Sequence, residues 1–213
     1  MSGRNKNPIK IAIFASGAGS NAEKIIRKFN SPAKNSVSAT TGNGEEIKVN
    51  AVIALVVCNK PGAGVLKIAA DAGIETLIIE KGPFFEGDHY LPALKSNKID
   101  FIILAGFLWK IPAALIQAYP NKIVNIHPAL LPKHGGKGMY GNKVHEAVIA
   151  CGDKESGITV HYVDELYDHG NVIFQARCGI TDDETAATLA EKIHLLEHEH
   201  YPAVIENLLR NAK

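Results

Sequence analysis

Lys122–Pro132, KIVNIHPALLP, opens as an apolar strand at Ile123-Val124 and breaks into a proline-punctuated loop from Pro128. Strand side chains alternate between faces, so Asn125 and His127 project to the same side where the strand meets solvent. An amide and an imidazole can both donate hydrogen bonds, and the imidazole can also carry a proton. Directed together into a cleft, they suit an oxygen on which negative charge develops. The alternative for such a pair is structural, a strand end whose polar side chains cap the following loop.

Upstream, apolar runs alternate with helical patterns. Ile9–Phe14 reads as a first strand, followed by the loop Ser16-Gly17-Ala18-Gly19-Ser20-Asn21 and a helix burying Ile25, Ile26 and Phe29. Val49–Val57 is a second strand, Gly64–Ala72 a helix closed by Gly73, and Thr76–Ile79 a third strand. A loop around Gly82-Pro83, a helix over His89–Ser96 and a fourth strand at Phe101–Leu104 complete this half. Such alternation predicts an α/β fold, a Rossmann-like, mostly parallel sheet with helices on both faces. Ligands bind such sheets at the carboxyl ends of the strands, so Gly17–Asn21, Gly106–Ile111 and Asn125–His127 are expected to border one crevice.

Downstream, Lys133–Gly141 is a glycine-rich loop long enough to act as a wall or lid. A helix at Lys143–Ala150 leads to a C-terminal strand pair, Gly157–Val163 and Val172–Arg177, joined through the turn Tyr167-Asp168-His169-Gly170. Thr181-x-x-Glu184 predicts a capping box for a long final helix burying Leu189, Ile193 and Leu196, with His194, Glu197, His198 and Tyr201 on a second stripe. Ser31–Glu46 reads as a flexible insertion and residues 1–8 as a flexible N-terminus, and the 213 residues are taken as one domain.

Charge and composition narrow the function. The formal net charge is +1, which gives no electrostatic case for nucleic acid or an anionic membrane. No apolar run approaches a membrane span and no signal-peptide pattern opens the chain, so a soluble cytoplasmic protein is expected. Cys58, Cys151 and Cys178 lack a C-x-x-C and read as reduced thiols. The glycine loop followed by a helix is a phosphate-binding arrangement, since backbone N–H groups and the helix N-terminus both favour an anion. It fits the dinucleotide fingerprint loosely, but the second strand ends in Cys58-Asn59-Lys60, with no acid for a ribose diol. His194-Leu195-Leu196-Glu197-His198 matches the inverted zinc-protease pattern H-x-x-E-H. The residues after it stay on the same helix, which cannot fold back to supply another ligand, and no metal is expected. His145 and His161 read as structural when taken singly.

With these pieces assembled, the chain resembles the folate-dependent phosphoribosylglycinamide formyltransferase family from Ile11 to about Ile205. The carriers are SGAGSN at Ser16–Asn21, Asn59-Lys60, LAGF at Leu104–Phe107, NIHPALLPK at Asn125–Lys133, TVHYV at Thr159–Val163 with Asp168 after it, Glu197-His198 and Tyr201-Pro202. The resemblance implies that Asn125, His127 and Asp168 are catalytic, with His161 nearby in support. It implies that Gly19, Ser20 and Asn21 hold the phosphate of glycinamide ribonucleotide, with His194 near that phosphate and Glu197 on the ribose. It places the folate against Leu104, Leu108, Trp109, Ile111, Val163 and Asp164. The implied co-substrate is 10-formyltetrahydrofolate, used without a metal, and the implied state is a monomer or weak homodimer. Departures from the family pattern are Trp109-Lys110 where many members carry Arg, a longer loop at His134–Asn142, and His169 where Gly is common. Other users of the same formyl donor, and a non-catalytic nucleotide-binding module, are the alternatives.

Overall fold

The computed structural model describes residues 7–30 and 49–211, so the insertion expected at 31–46 and most of the expected flexible N-terminus lie outside the described residues. Its framework is one seven-stranded sheet in the order β3-β2-β1-β4-β5-β6-β7. The strands are β1 Ile9–Ala15, β2 Ala51–Cys58, β3 Glu75–Ile78, β4 Phe101–Leu104, β5 Ile123–His127, β6 Glu155–Tyr162 and β7 Val172–Gly179. Pairings from β3 through β5 are parallel, whereas β6 runs antiparallel to both β5 and β7. The mostly parallel sheet with a C-terminal strand pair and a long final helix is therefore the observed architecture.

Alternation within β1 explains the layers. Ile11, Ile13 and Ala15 face a core shared with Ala22, Ile25 and Phe29 of α1 (Ser20–Asn30), Val65 and Ala69 of α2 (Gly64–Asp71), and Leu189, Ile193 and Tyr201 of the final helix. Ala12 and Phe14 face a second core with Phe84, Leu94 and Leu115. Those three come from short helices on the opposite side, α3 Lys81–Phe85, α4 Leu91–Ser96 and α5 Ala113–Ala118. A sheet buried on both faces is what near-continuous apolar strands require.

Four local expectations are corrected. The stretch around Gly82-Pro83 is not loop but contains α3, and α4 starts at Leu91 rather than His89. A whole helix, α5, follows Pro112 where none was expected; the fixed φ of that proline suits the residue entering a helix. After α6 (Asn142–Ala150), the final helix α7 covers Ala186–Asn211 and is capped by Thr185, not by the Thr181 and Glu184 pair. The Thr185 hydroxyl accepts from the Thr188 N–H at 3.2 Å, the Thr188 hydroxyl accepts from the Thr185 N–H at 3.0 Å, and the Thr185 carbonyl accepts the Leu189 N–H. Thr188 thus supplies the reciprocal bond usually made by Glu or Gln. Glu184 instead pairs with Lys192.

Candidate active site

Strand order reverses between β1 and β4, because β1 connects outward through α1 to β2 whereas β4 lies on its other side. The loops leaving such a switch point diverge and leave a crevice. Here they enclose a cleft of about 770 Å³ lined by Gly17–Asn21, Leu104–Ile111, Asn125–Pro128 and Gly136–Gly141, with His145, His161, Val163, Asp164, Asp168, His194 and Glu197. The three stretches expected at one crevice do meet there, and the glycine-rich loop forms a wall.

One end of the cleft is a helix N-terminus. The Gly19 carbonyl accepts the Glu23 N–H at 2.8 Å, which makes Gly19 the cap and leaves the first-turn amides of α1 without helical acceptors. Gly19 has φ +86°, and a Cβ there would lie 2.8 Å from Val65 Cβ, so this position requires glycine twice over. The Asn21 amide donates to Glu197 Oε2 at 2.9 Å, fastening the loop to α7. Burial pushes the Glu197 carboxyl above the usual range, against the opposing Asn21 hydrogen bond and the His194 ring. His194 is exposed at the cleft and its ring lies nearly parallel to that of His198. Among the described residues no group of three His, Cys, Asp or Glu side chains gathers as a metal-ligand set.

The other end is built by strand register. Asn125 on β5 stands directly opposite His161 on β6, and His127 opposite Thr159. His161 donates through Nδ1 to the Tyr162 carbonyl at 2.8 Å, and its Nε2 accepts the Asn125 amide N–H at 3.1 Å. That fixes the amide orientation and leaves its second N–H available to the cleft. His127 places Nε2 2.8 Å from the His134 carbonyl, an acceptor only, so Nε2 carries a proton in either charge state. Nδ1 is then the nitrogen that gains or loses one, and it lies 3.5 Å from Asp168 Oδ2. Asp168 Oδ1 is 3.7 Å from His161 Nε2.

Asp168 sits at φ +53°, a left-handed conformation that Asp tolerates better than most residues, and its Oδ2 accepts the Gly136 N–H at 2.9 Å. Burial favours the protonated acid, but the neighbouring His161 and His127 rings and the Gly136 N–H together hold the carboxyl below the usual range. Burial lowers His127 below the usual histidine range, although the Asp168 carboxylate and the His134 carbonyl pull the other way. The resting site is thus a neutral imidazole beside a carboxylate.

Of the residues assigned to the folate, Leu104 and Ile111 are buried at the cleft floor and Leu108 is exposed, with its N–H donating to Ser16 Oγ at 3.0 Å. Trp109 borders the cleft and packs against Phe84, Phe85 and Phe107. Val163 and Asp164 lie on the facing wall. One residue read as structural belongs to the cleft as well. His145 is buried, its Nδ1 has no hydrogen-bond partner among the described residues, and burial, then His194 and His127, hold its pKa down. The available signal was a polar side chain on the buried face of α6, between Val144 and Val148.

A doubly wound α/β sheet with an open helix N-terminus at one end of its switch-point cleft and paired donors beside a carboxylate at the other has an arrangement suited to the group-transfer class. The chain belongs to the formyl transferase family, whose model matches residues 9–205. It is 38% identical over 201 residues to the chloroplastic phosphoribosylglycinamide formyltransferase of Arabidopsis thaliana, covering 92% of this chain and 64% of that protein. It is 37% identical over 205 residues to the phosphoribosylglycinamide formyltransferase of Bacillus subtilis (strain 168), covering 94% of each. The crystal structure of glycinamide ribonucleotide transformylase 1 from Geobacillus kaustophilus matches with a TM-score of 0.79 at 38% identity, covering 95% of this chain and 100% of that one. The chain spans 64% and 60% of the lengths of the two plant relatives. Among the described residues no helix is long and apolar enough to cross a membrane.

Proposed function

We propose that this chain, acting as one formyltransferase domain in the cytoplasm, transfers the formyl group of 10-formyltetrahydrofolate to the primary amine of glycinamide ribonucleotide. The products are formylglycinamide ribonucleotide and tetrahydrofolate, a step of purine biosynthesis. The observation that carries this reading is the span of one cleft from the Gly19-Ser20-Asn21 helix terminus to the Asn125, His127 and Asp168 cluster, combined with the family. The phosphate is held by the first-turn amides of α1 with His194 nearby, and the ribose hydroxyls by Glu197. The pterin lies against Leu104, Leu108, Trp109 and Ile111, facing Val163 and Asp164.

In this reaction the amine nitrogen attacks the formyl carbon, and the carbonyl electron pair moves onto oxygen. The free N–H of Asn125 and the Nδ1 side of His127 receive that oxyanion once Nδ1 is protonated. Removing one such donor typically lowers kcat by about 10² to 10³. The proton of the attacking amine passes to His127 Nδ1, where Asp168 stabilises the imidazolium, and from there to the folate nitrogen as its bond to the formyl carbon breaks. The folate already carries the activated carbon, so the chain's residues have only to orient, polarise and move one proton. A monomer or weak homodimer suffices for this site.

An absorbance assay of tetrahydrofolate release from a 10-formylfolate donor, on chelator-treated protein with and without glycinamide ribonucleotide, tests the reading. Release that needs the ribonucleotide and survives chelation is expected. Release without the amine would identify a hydrolase, and no release would leave a binding module.

A further inference from the structure

His134, Gly135 and Gly136 lie between the His127 and Asp168 pair and a carboxylate that does not line the cleft. The His134 carbonyl accepts from His127 Nε2 at 2.8 Å. Two residues later the Gly136 N–H donates to Asp168 Oδ2 at 2.9 Å. Between them Gly135 is wedged: a Cβ there would stand 2.5 Å from Leu131 Cδ2 and 3.2 Å from Asp168 Cβ. A single turn thus addresses both members of the pair, one through a carbonyl and the other through an amide.

That turn needs an anchor, because His134 adopts φ +54°. The left-handed region brings the Cβ of a non-glycine residue too close to the following carbonyl oxygen. The His134 side chain supplies the hold. Its Nε2–H donates to Asp153 Oδ2 at 2.7 Å, the carboxylate being an acceptor only. Asp153 stands just beyond α6 and also takes Lys133 Nζ at 3.0 Å. Hydrogen bonds from His134 and Lys133 hold its carboxyl below the usual range. Lys133 is mostly exposed, whereas the His134 side chain is 10% exposed, so the two bonds to Asp153 differ in how firmly they are held.

We propose that Asp153, acting through His134, is a positioning residue for formyl transfer, holding the 134–136 turn so that its carbonyl fixes the protonated nitrogen of His127 and its amide fixes Asp168. This rests on the function proposed above. Neither Asp153 nor the His134 side chain lines the cleft, so the contribution belongs in kcat and not in substrate affinity. A misplacement of about 1 Å at a reacting group costs up to about 10²-fold, which sets the scale of the expected loss.

The test compares Asp153→Ala, Asp153→Asn, His134→Gly and Lys133→Met, with selective ¹⁵N-histidine NMR to read the His127 tautomer. Asp153→Ala and His134→Gly are each expected to lower kcat by about ten- to a hundredfold, with KM for both substrates within about twofold of wild type. The double variant is expected to lose no more than either single one. Asp153→Asn keeps an acceptor and recovers most of the rate, and Lys133→Met is unchanged. In NMR, wild-type His127 is expected to carry its proton on Nε2 alone, and Asp153→Ala to show a mixture. A folded Asp153→Ala or His134→Gly protein with wild-type kcat, a loss residing in KM, or an unchanged His127 tautomer in both would overturn the proposal. Absence of formyl transfer in the wild type would undo the proposed reaction, and the tautomer measurement would then decide the positioning role by itself.

Discussion

The two nitrogens of His127 meet different partners, a carbonyl that accepts only and a carboxylate 3.5 Å away that becomes a full ion-pair partner once Nδ1 is protonated. In the proposed reaction this makes Asp168 more valuable late than early. Replacing Asp168 by Asn keeps the shape and the Gly136 contact but removes the charge. Single-turnover formyl transfer is expected to fall by about 10²-fold or more, with substrate binding little changed; near-normal turnover would remove Asp168 from the chemistry. The buried histidines also predict a pH signature. Burial lowers the pKa of His127, His145 and His198, so the unfolded chain binds more protons than the folded one between the folded values and the unfolded value of about 6.5. Their contribution to stability is complete above that value and is lost as pH falls through the window. Thermal melts are expected to be flat above about pH 7 and to decline toward about pH 5.5, with His145→Gln shallower than wild type. A wild-type melting temperature that does not move over this range would contradict the assignment.

At the level of elements, the site depends on how β5, β6 and the loop between Pro128 and Pro132 are tied together. Thr159 is fully buried; its hydroxyl donates to the Ala129 carbonyl at 2.7 Å and accepts from the Leu131 N–H at 3.0 Å and from Gln175 Nε2 at 2.9 Å. Thr159→Val strands those partners and is expected to destabilise by about 1–3 kcal/mol, read as a lower denaturation midpoint with unchanged m-value. Gly19→Ala tests the opposite terminus. Its φ and the nearby Val65 predict a loss of about 1–3 kcal/mol together with a raised KM for the phosphorylated substrate. A Gly19→Ala protein with wild-type stability and KM would mean that the loop relaxes freely. Elements of this kind were unevenly legible in the sequence. The strands could be read because their apolar runs are long and clearly bounded. The helices α3 and α5 could not, since five or six residues give too few turns for periodicity and their prolines read as breakers. The α7 cap was misread because Thr181-x-x-Glu184 matches the pattern better than the Thr185 and Thr188 pair that forms it.

For the whole molecule, alternation of strand and helix was enough to place three loops at one crevice, because a parallel sheet gives its strand ends only one side on which to meet. Asn125, His127 and Asp168 could be singled out from strand alternation and family resemblance. His145 and Asp153 could not, because what distinguishes them is an unpartnered nitrogen and a contact 19 residues away in sequence. A cleft that gathers groups from α1, β4, β5, α6, β6 and α7 also predicts that ligand binding stabilises the folded protein. At glycinamide ribonucleotide concentrations near 100 times Kd the gain is about 2.7 kcal/mol, visible as a raised melting temperature. A melting temperature indifferent to that ligand would argue against it as the substrate.

Tyr201 of α7 is completely buried and its hydroxyl donates to the Leu104 carbonyl at 2.9 Å, with the Val124 carbonyl 3.3 Å away, while one turn earlier Glu197 takes the Asn21 amide. Ribosomes release a chain from its N-terminus, and Asn21 precedes Glu197 by 176 residues. At synthesis rates of about 5–20 residues per second, the glycine loop therefore waits roughly ten to thirty-five seconds for its fastening. During that interval a nascent chain can assemble the strands yet cannot close the Gly17–Asn21 end of its crevice, so completion of the cleft has to follow the emergence of α7 from the exit tunnel.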